Sequence, residues 1–263
     1  MKQLALLTVA FCFFTPLMGQ SSPLFVGHRG ASYLAPENTL ASIELAWELG
    51  AQAAECDIML TGDKQVIVFH DKKGKRLTGK DFVVKEVNYS DIKDLPIALR
   101  KTNAEKYREE KIPLLQDVLF TIPNGRTLVI EIKTGPEILP FLQEAIFDHW
   151  KSGKIAFIAF DFETILATKQ LYPEIPCYYL SSFKQDIKKK FAEITKSNLD
   201  GVNLRHKIID ADLVSQFNEA GKDVWCWTVN DPEDAKRMAK AGVTAITTDR
   251  PVWLSEQLKG EVH

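Results

Sequence analysis

From Leu24 onward, short strand-like runs alternate with helical runs eight times, without a composition break or a long linker. The 263-residue length suits one large α/β domain, and no GxGxxG turn follows the first strand. Together these observations predict a (β/α)8 TIM barrel with a small insertion after its second strand. A doubly wound open sheet, the rival, usually carries that glycine-rich turn.

The elements follow in order. Leu24 to Gly27 reads as the first strand. Asn38 to Leu49 reads as a helix, with Pro36 and Asn38 near its start and Gly50 at its end. Ala53 to Met59 is the second strand. A helix from Leu115 to Ile122 precedes the third strand, Thr127 to Ile132, and a helix from Leu139 to Trp150 precedes the fourth, Ile155 to Phe160. Cys177 to Leu180, Gly201 to Leu204, Val224 to Val229 and Ala245 to Thr248 complete the eight. Helices opening at Glu163, Asp186, Asp210, Asp231 and Pro251 fill the gaps, and acidic openings suit the positive end of a helix dipole.

One segment breaks the alternation. Gln65 to Phe69 is strand-like but follows Met59 too soon for a parallel return, which needs a dozen or more residues. It must come back antiparallel through a turn at Thr61-Gly62-Asp63-Lys64, which returns His70 to the rim beside the end of the second strand. Residues 71 to 112 lack a strong period and are rich in Lys, Asp and Glu. They read as an insertion above the same face, either a solvated loop or a substrate lid.

Ahead of the barrel, Lys2 precedes an almost wholly apolar run from Leu4 to Leu17, with Pro16 near its end, followed by Gly19 and polar Gln20-Ser21-Ser22. The run is about 14 residues, short of the roughly 20 that span a bilayer. The order is that of a secretory signal peptide, residues 1–19, cleaved near Gly19–Gln20. An uncleaved anchor is the alternative. Export to the periplasm or medium is therefore expected, with residues 20–263 as one domain and no stable membrane insertion after cleavage. Cys56, Cys177 and Cys226 would remain. Cys56 and Cys226 sit in strand-like runs, where a thiol acts as a small buried hydrophobe, and no disulfide framework is expected. No CxxC or Cys/His spacing suggests zinc.

Charge narrows the function. With 33 Lys and Arg against 35 Asp and Glu, the net charge is −2, so there is no basic surplus for a nucleic acid backbone. In a (β/α)8 barrel the active site forms at the C-terminal strand ends. Unusual polar residues collect there: His28 and Arg29, Glu55 and Asp57, His70, Glu131 and Lys133, Trp227 and Asn230. Glu55 and Asp57 are two apart, so both face one side of their strand, as do Glu131 and Lys133. Three converging carboxylates need a compensating positive group. They suit one hard divalent cation, Ca2+ or Mg2+. A charge network with Arg29 and Lys133 alone is the other reading. Fixed positive charge suits an anionic substrate, as in phosphoryl transfer. Two histidines can divide acid and base roles near neutral pH.

These motifs resemble the glycerophosphodiester phosphodiesterases. The resemblance runs through His28-Arg29-Gly30, Pro36-Glu37-Asn38-Thr39, Glu55-Cys56-Asp57, Val66 to His70-Asp71 and Ile112-Pro113-Leu114. It continues through Glu131-Ile132-Lys133, Trp227-Thr228-Val229-Asn230 and Thr248-Asp249-Arg250-Pro251. It implies hydrolysis of a small-molecule glycerophosphodiester to glycerol 3-phosphate and an alcohol. It also implies that Glu55, Asp57 and Glu131 hold the divalent metal, that His28 and His70 form the acid–base pair, that Arg29 and Lys133 bind phosphate, and that Trp227 lines the glycerol pocket. Attack by the glycerol 2-hydroxyl and direct attack by water both remain open. The chain departs from the family pattern over Lys72 to Lys80 and at Ala159-Phe160, which bears on substrate preference. A membrane-acting phospholipase is the nearest rival, but no exposed aromatic or basic amphipathic stretch is evident in the sequence. A non-catalytic headgroup binder is the second, and the intact carboxylate and histidine sets argue against it.

Overall fold

The computed structural model describes residues 22–97 and 105–259. The segment 1–19 assigned to a signal peptide, and Cys12 within it, lie outside the described residues. In chain order the elements are β1 (Leu24–Gly27), α1 (Leu40–Glu48), β2 (Ala53–Leu60), β3 (Val66–Val68), α2 (Lys75–Thr78), α3 (Tyr89–Ile92) and α4 (Leu115–Leu119). Then come β4 (Thr127–Ile132), α5 (Leu139–His149), β5 (Lys154–Ala159), α6 (Phe162–Leu171), β6 (Cys177–Ser181) and α7 (Lys184–Lys196). The chain closes with β7 (Gly201–Arg205), α8 (Ala211–Glu219), β8 (Asp223–Trp227), α9 (Pro232–Ala241), β9 (Ala245–Thr248) and α10 (Pro251–Lys259).

Eight of the strands are parallel and close into a barrel in the order β1-β9-β8-β7-β6-β5-β4-β2, with β1 pairing β2. The ninth, β3, folds back antiparallel on the upper part of β2, pairing Ile58 with Val68 and Leu60 with Val66. The turn behind it is held by the Thr61 amide donating to Gln65 O, with Lys64 at φ 67. The expected hairpin above the rim is therefore present.

Strand alternation sorts the core into two layers. Outward residues such as Cys56, Ile58, Ile130, Phe157, Val202 and Leu204 pack against the helices. Inward residues such as Val26, Val129, Ile158, Tyr178, Leu180 and Trp225 fill the bore. Because Cys56 and Ile58 face out, Glu55 and Asp57 face in. The cysteines Cys56, Cys177 and Cys226 are buried and unpaired.

Helix starts follow side-chain caps. Asp161, Asp210 and Asp231 accept from the Thr164, Leu213 and Glu233 amides at 2.9, 2.9 and 2.8 Å. Each satisfies an amide that the first helical turn leaves free. The first helix departs from the expected start at Asn38. Thr39 is its N-cap, and Asn38 sits at φ 58, outside the helix, because its side chain is committed elsewhere.

The described parts of the insertion, residues 71–97 and 105–112, carry an apolar core of their own, and residues 98–104 of that segment lie outside the described residues. Met59, Ile67, Phe69, Leu77, Val84, Ile92, Ile97 and Ile112 form an apolar cluster of their own. Residues 71 to 97 are thereby fastened to the back of the β2–β3 hairpin, and the Ile97 amide donates to Glu110 O at 2.9 Å. Among the described residues no helix is long and apolar enough to cross a membrane.

Candidate active site

The site begins in the turn after β1. Arg29 sits at φ 53 and Gly30 at φ 81. A Cβ on Gly30 would lie 2.3 Å from Ser42 Oγ, so only glycine lets the turn press against α1. The left-handed backbone of Arg29 is unusual for a non-glycine residue. It is pinned by its amide donating to Glu55 Oε2 at 2.8 Å and by Ser42 Oγ donating to its carbonyl at 2.6 Å. Asn38 holds Asp57 twice: its Nδ2 donates to Oδ2 at 2.8 Å, and its Oδ1 accepts from the Asp57 amide at 3.0 Å. The strained Asn38 backbone is thus the means of fixing Asp57.

Glu55, Asp57 and Glu131 each place a carboxylate oxygen within 4.8 Å of the others. Lys133 Nζ donates to Glu131 Oε1 at 2.9 Å and stands 3.5 Å from Asp57 Oδ1. Arg29 Nε lies 3.3 Å from Asp57 Oδ2, while its Nη1 donates to Glu37 Oε1 at 2.6 Å. Burial pushes the Glu55 carboxyl well above its ordinary range, and the Asp57 and Glu131 charges push the same way. Burial and then Asp57 raise Glu131 to about 7. Asp57 goes the other way: burial would raise it, but Arg29, then Lys133 and His70, hold it low.

Three carboxylates against two cations leave a negative excess, and the buried Glu55 Oε1 finds no hydrogen-bond partner among the described residues. An all-oxygen cluster with one uncommitted buried oxygen fits a hard divalent cation. Glu55, Asp57 and Glu131 are the residues that would hold it.

The two histidines each lean on an aspartate. His28 Nδ1 is 2.8 Å from Asp249 Oδ1, and Asp249 also accepts from Ser32 Oγ at 3.2 Å and from Asn230 Nδ2 at 2.7 Å. His70 Nδ1 is 2.7 Å from Asp71 Oδ1, and Arg76 ties Asp71 to Glu37 by donating to both carboxylates. A carboxylate on Nδ1 sets the tautomer and leaves Nε2 for chemistry. Burial opposes ionisation of both aspartates. The hydrogen bonds override it, first from His28 for Asp249 and from Arg76 for Asp71, and bring each carboxyl to about 2. Burial lowers His70, with Asp57 opposing and Arg29 assisting.

The rest of the mouth is aromatic. Trp227 meets Phe160 edge to face with ring centroids 5.5 Å apart, and its Nε1 donates to Asn203 O at 3.1 Å. Phe160 and Phe183 are 43% and 71% exposed, so apolar rings do line this rim, although no amphipathic run announces them in the sequence.

All eight predicted site residues stand at the C-terminal end of the barrel. Glu55, Asp57, Glu131, Arg29 and Lys133 make one contiguous cluster, and His70 is close enough to feel the Asp57 charge. Sequence reasoning gave no role to Asp249, Asp71, Glu37, Asn38, Arg76 or Asn230. Asp71, Glu37, Asn38, Asn230 and Asp249 stood inside motifs already singled out, and a question about what orients each histidine would have found the two aspartates. Arg76 carried no local signal.

Comparison with known proteins gives the family. The glycerophosphoryl diester phosphodiesterase family matches residues 28–252. A glycerophosphodiester phosphodiesterase of Caldanaerobacter subterraneus subsp. tengcongensis is 31% identical over 87% of this chain and 94% of its own. One from Bacillus subtilis is 29% identical over 93% of this chain and 89% of its own. Among solved structures, a phosphodiesterase of Oleispira antarctica in complex with the product sn-glycerol-3-phosphate is 27% identical, with a TM-score of 0.81 over 90% of this chain and 97% of that one. On the match across the barrel and the 31% identity, the chain belongs to the glycerophosphoryl diester phosphodiesterase family and is an enzyme of phosphodiester hydrolysis.

Proposed function

We propose that the protein hydrolyses water-soluble glycerophosphodiesters to glycerol 3-phosphate and an alcohol, using His28 and His70 as the acid–base pair and one divalent cation, Ca2+ or Mg2+. The observation that carries this reading is the pairing of a three-carboxylate cluster with two histidines, each backed by its own aspartate. The Oleispira antarctica relative with glycerol 3-phosphate as its product supports the choice of substrate.

The cation, when bound by Glu55, Asp57 and Glu131, supplies positive charge that stabilises developing negative charge on substrate oxygens. Arg29 and Lys133 hold the phosphate and stabilise its equatorial oxygens as the phosphorus–oxygen bond changes. One histidine takes the proton from the glycerol 2-hydroxyl, whose oxygen bonds to phosphorus. The other gives its proton to the departing alcohol oxygen. The resulting cyclic phosphate is opened by water with the two roles exchanged, which restores both protonation states. Asp249 and Asp71 keep each imidazole oriented through Nδ1. Trp227 and Phe160 form the apolar wall against which the glycerol carbons rest.

A panel of diesters tests this. Glycerophosphocholine should release glycerol 3-phosphate, and the analogue whose glycerol lacks the 2-hydroxyl should not be cleaved. Cleavage of that analogue at a comparable rate would replace the cyclic route with direct water attack. Release of diacylglycerol or ceramide phosphate from intact lipid would overturn the substrate class. Export rests on the apolar run of residues 4–17, and N-terminal sequencing of the protein recovered from the cells that make it tests it: a start near Gln20 is expected, and a start at Met1 would contradict it.

A further inference from the structure

Asn203 is a polar residue of the bore that the chemistry above does not use. It lies on β7 between Val202 and Leu204, both of which face the helices, so its side chain points into the barrel. It is 1% exposed, and neither its Nδ2 nor its Oδ1 has a hydrogen-bond partner among the described residues. Leaving such groups unpaired costs about 1–3 kcal/mol each, and barrel interiors at this depth normally hold Val, Ile or Leu.

The register fixes its height. The pairing Asp57, Glu131, Ile158, Tyr178, Gly201 runs from β2 to β7. An eight-stranded barrel of this type drops roughly one residue per strand along such a path. Asn203, two residues above Gly201, therefore stands level with Glu55, in a layer completed by Ile158 and Thr247 from the other alternate strands. β2 and β7 are opposite walls. The unpartnered Asn203 amide and the unpartnered Glu55 Oε1 thus flank the same level of the bore. One layer up, on the neighbouring strand, Trp227 is pinned through Nε1 to the carbonyl of Asn203 itself.

We infer that the Asn203 carboxamide binds the terminal hydroxyl of the substrate's glycerol unit, the hydroxyl that the reaction does not use as its nucleophile. This rests on the glycerophosphodiester reading above. An amide offers one donor and one acceptor side by side, and a hydroxyl is both. Buried as it is, the amide is satisfied by a group that enters the bore, and the carbon skeleton beside that group meets the Trp227 wall. Asn203 is therefore a specificity residue for glycerol over alcohols that lack the terminal hydroxyl.

The test uses the whole protein, loaded with its divalent cation, and two probes: sn-glycerol 3-phosphate and propane-1,2-diol 1-phosphate, which lacks only that hydroxyl. The wild-type protein should prefer the first by about 10-fold or more in competitive inhibition or calorimetry. Asn203→Leu should bring the two affinities together by weakening glycerol 3-phosphate alone. Its Tm should be unchanged or higher, because two unpaired polar groups leave the core. Asn203→Val, smaller and equally apolar, should show the same loss of preference. A wild-type protein that binds both probes equally overturns the inference, as does a leucine variant that keeps the preference. A variant that loses affinity for both probes in parallel with a fall in Tm makes Asn203 merely structural and also overturns it. If instead the wild-type protein does not cleave glycerophosphodiesters at all, it is the proposed function that fails, and the two failures are told apart.

Discussion

The two ends of the barrel treat their charged groups differently. At the N-terminal end, around a cleft of about 650 Å3, the charged side chains are paired within the protein, while the Tyr172 hydroxyl there has no hydrogen-bond partner among the described residues. Lys169 reaches Asp200 at 2.8 Å and Ile175 O at 3.1 Å, Lys222 donates to Ser197 O and Leu199 O at 2.8 and 2.6 Å, and Asp200 also accepts from the Cys177 amide at 2.8 Å. At the C-terminal end, Arg29 Nε, Glu55 Oε1 and both polar atoms of the Asn203 amide lack hydrogen-bond partners among the described residues. The charged groups of the first end are satisfied as they stand. The second keeps charge and hydrogen-bonding capacity in reserve, which is what a site that must bind an anion and a cation requires. Polar residues in one fold thus divide into those that stabilise and those that wait for a ligand.

Substitutions at each end should separate these roles. His70→Ala should lower kcat on the order of 10²-fold or more while leaving cation binding and Tm nearly unchanged, as read by glycerol 3-phosphate release and calorimetry. Activity within a few-fold of wild type would remove His70 from the chemistry. Glu55→Gln should weaken the cation response by about 10-fold or more, seen as a shifted metal titration. An unchanged titration would move the metal site elsewhere. Lys169→Ala, at the opposite end, should invert the pattern. It should lower stability by about 1–3 kcal/mol, a few degrees in Tm, with kcat/KM within about twofold. Equal losses of activity and stability at both ends would erase the contrast.

The smallest effect is on acid stability. Asp71 and Asp249 bind their protons more weakly in the folded protein, with carboxyls near 2, than in the unfolded chain. Their contribution is complete above roughly pH 4 and is lost as pH falls toward about 2. Asp249→Asn should flatten that part of the stability–pH curve. An unaltered curve would mean that the Asp249–His28 pair contributes nothing there.

Much of this was legible beforehand because the decisive signals are local. Two-residue spacing put Glu55 with Asp57 and Glu131 with Lys133 on inward faces, and the short gap after Met59 forced the antiparallel hairpin that returns His70. What was not legible depends on contacts distant in sequence. Asn38 reads as a helix start, yet its side chain is claimed by Asp57, and it leaves the helix in consequence. Arg76 lies in an insertion without periodicity and matters only because folding brings it to Glu37. The insertion read as either a solvated loop or a lid because its apolar residues pack at irregular intervals on the hairpin rather than in a repeating stripe. Asn203 sits in an ordinary strand pattern, and only the register shows its amide level with Glu55.

The central claim is that the carboxylate cluster, with its cation, and the histidine pairs make one catalytic unit at the C-terminal end. Its most direct test is glycerol 3-phosphate release from glycerophosphocholine before EDTA, after EDTA, and after Ca2+ or Mg2+ is restored, for the wild-type protein and Glu131→Gln. The account predicts turnover that EDTA abolishes and the cation restores in the wild type, with restoration impaired in the variant. Turnover that persists undiminished in EDTA, or that is restored equally in Glu131→Gln, would contradict it.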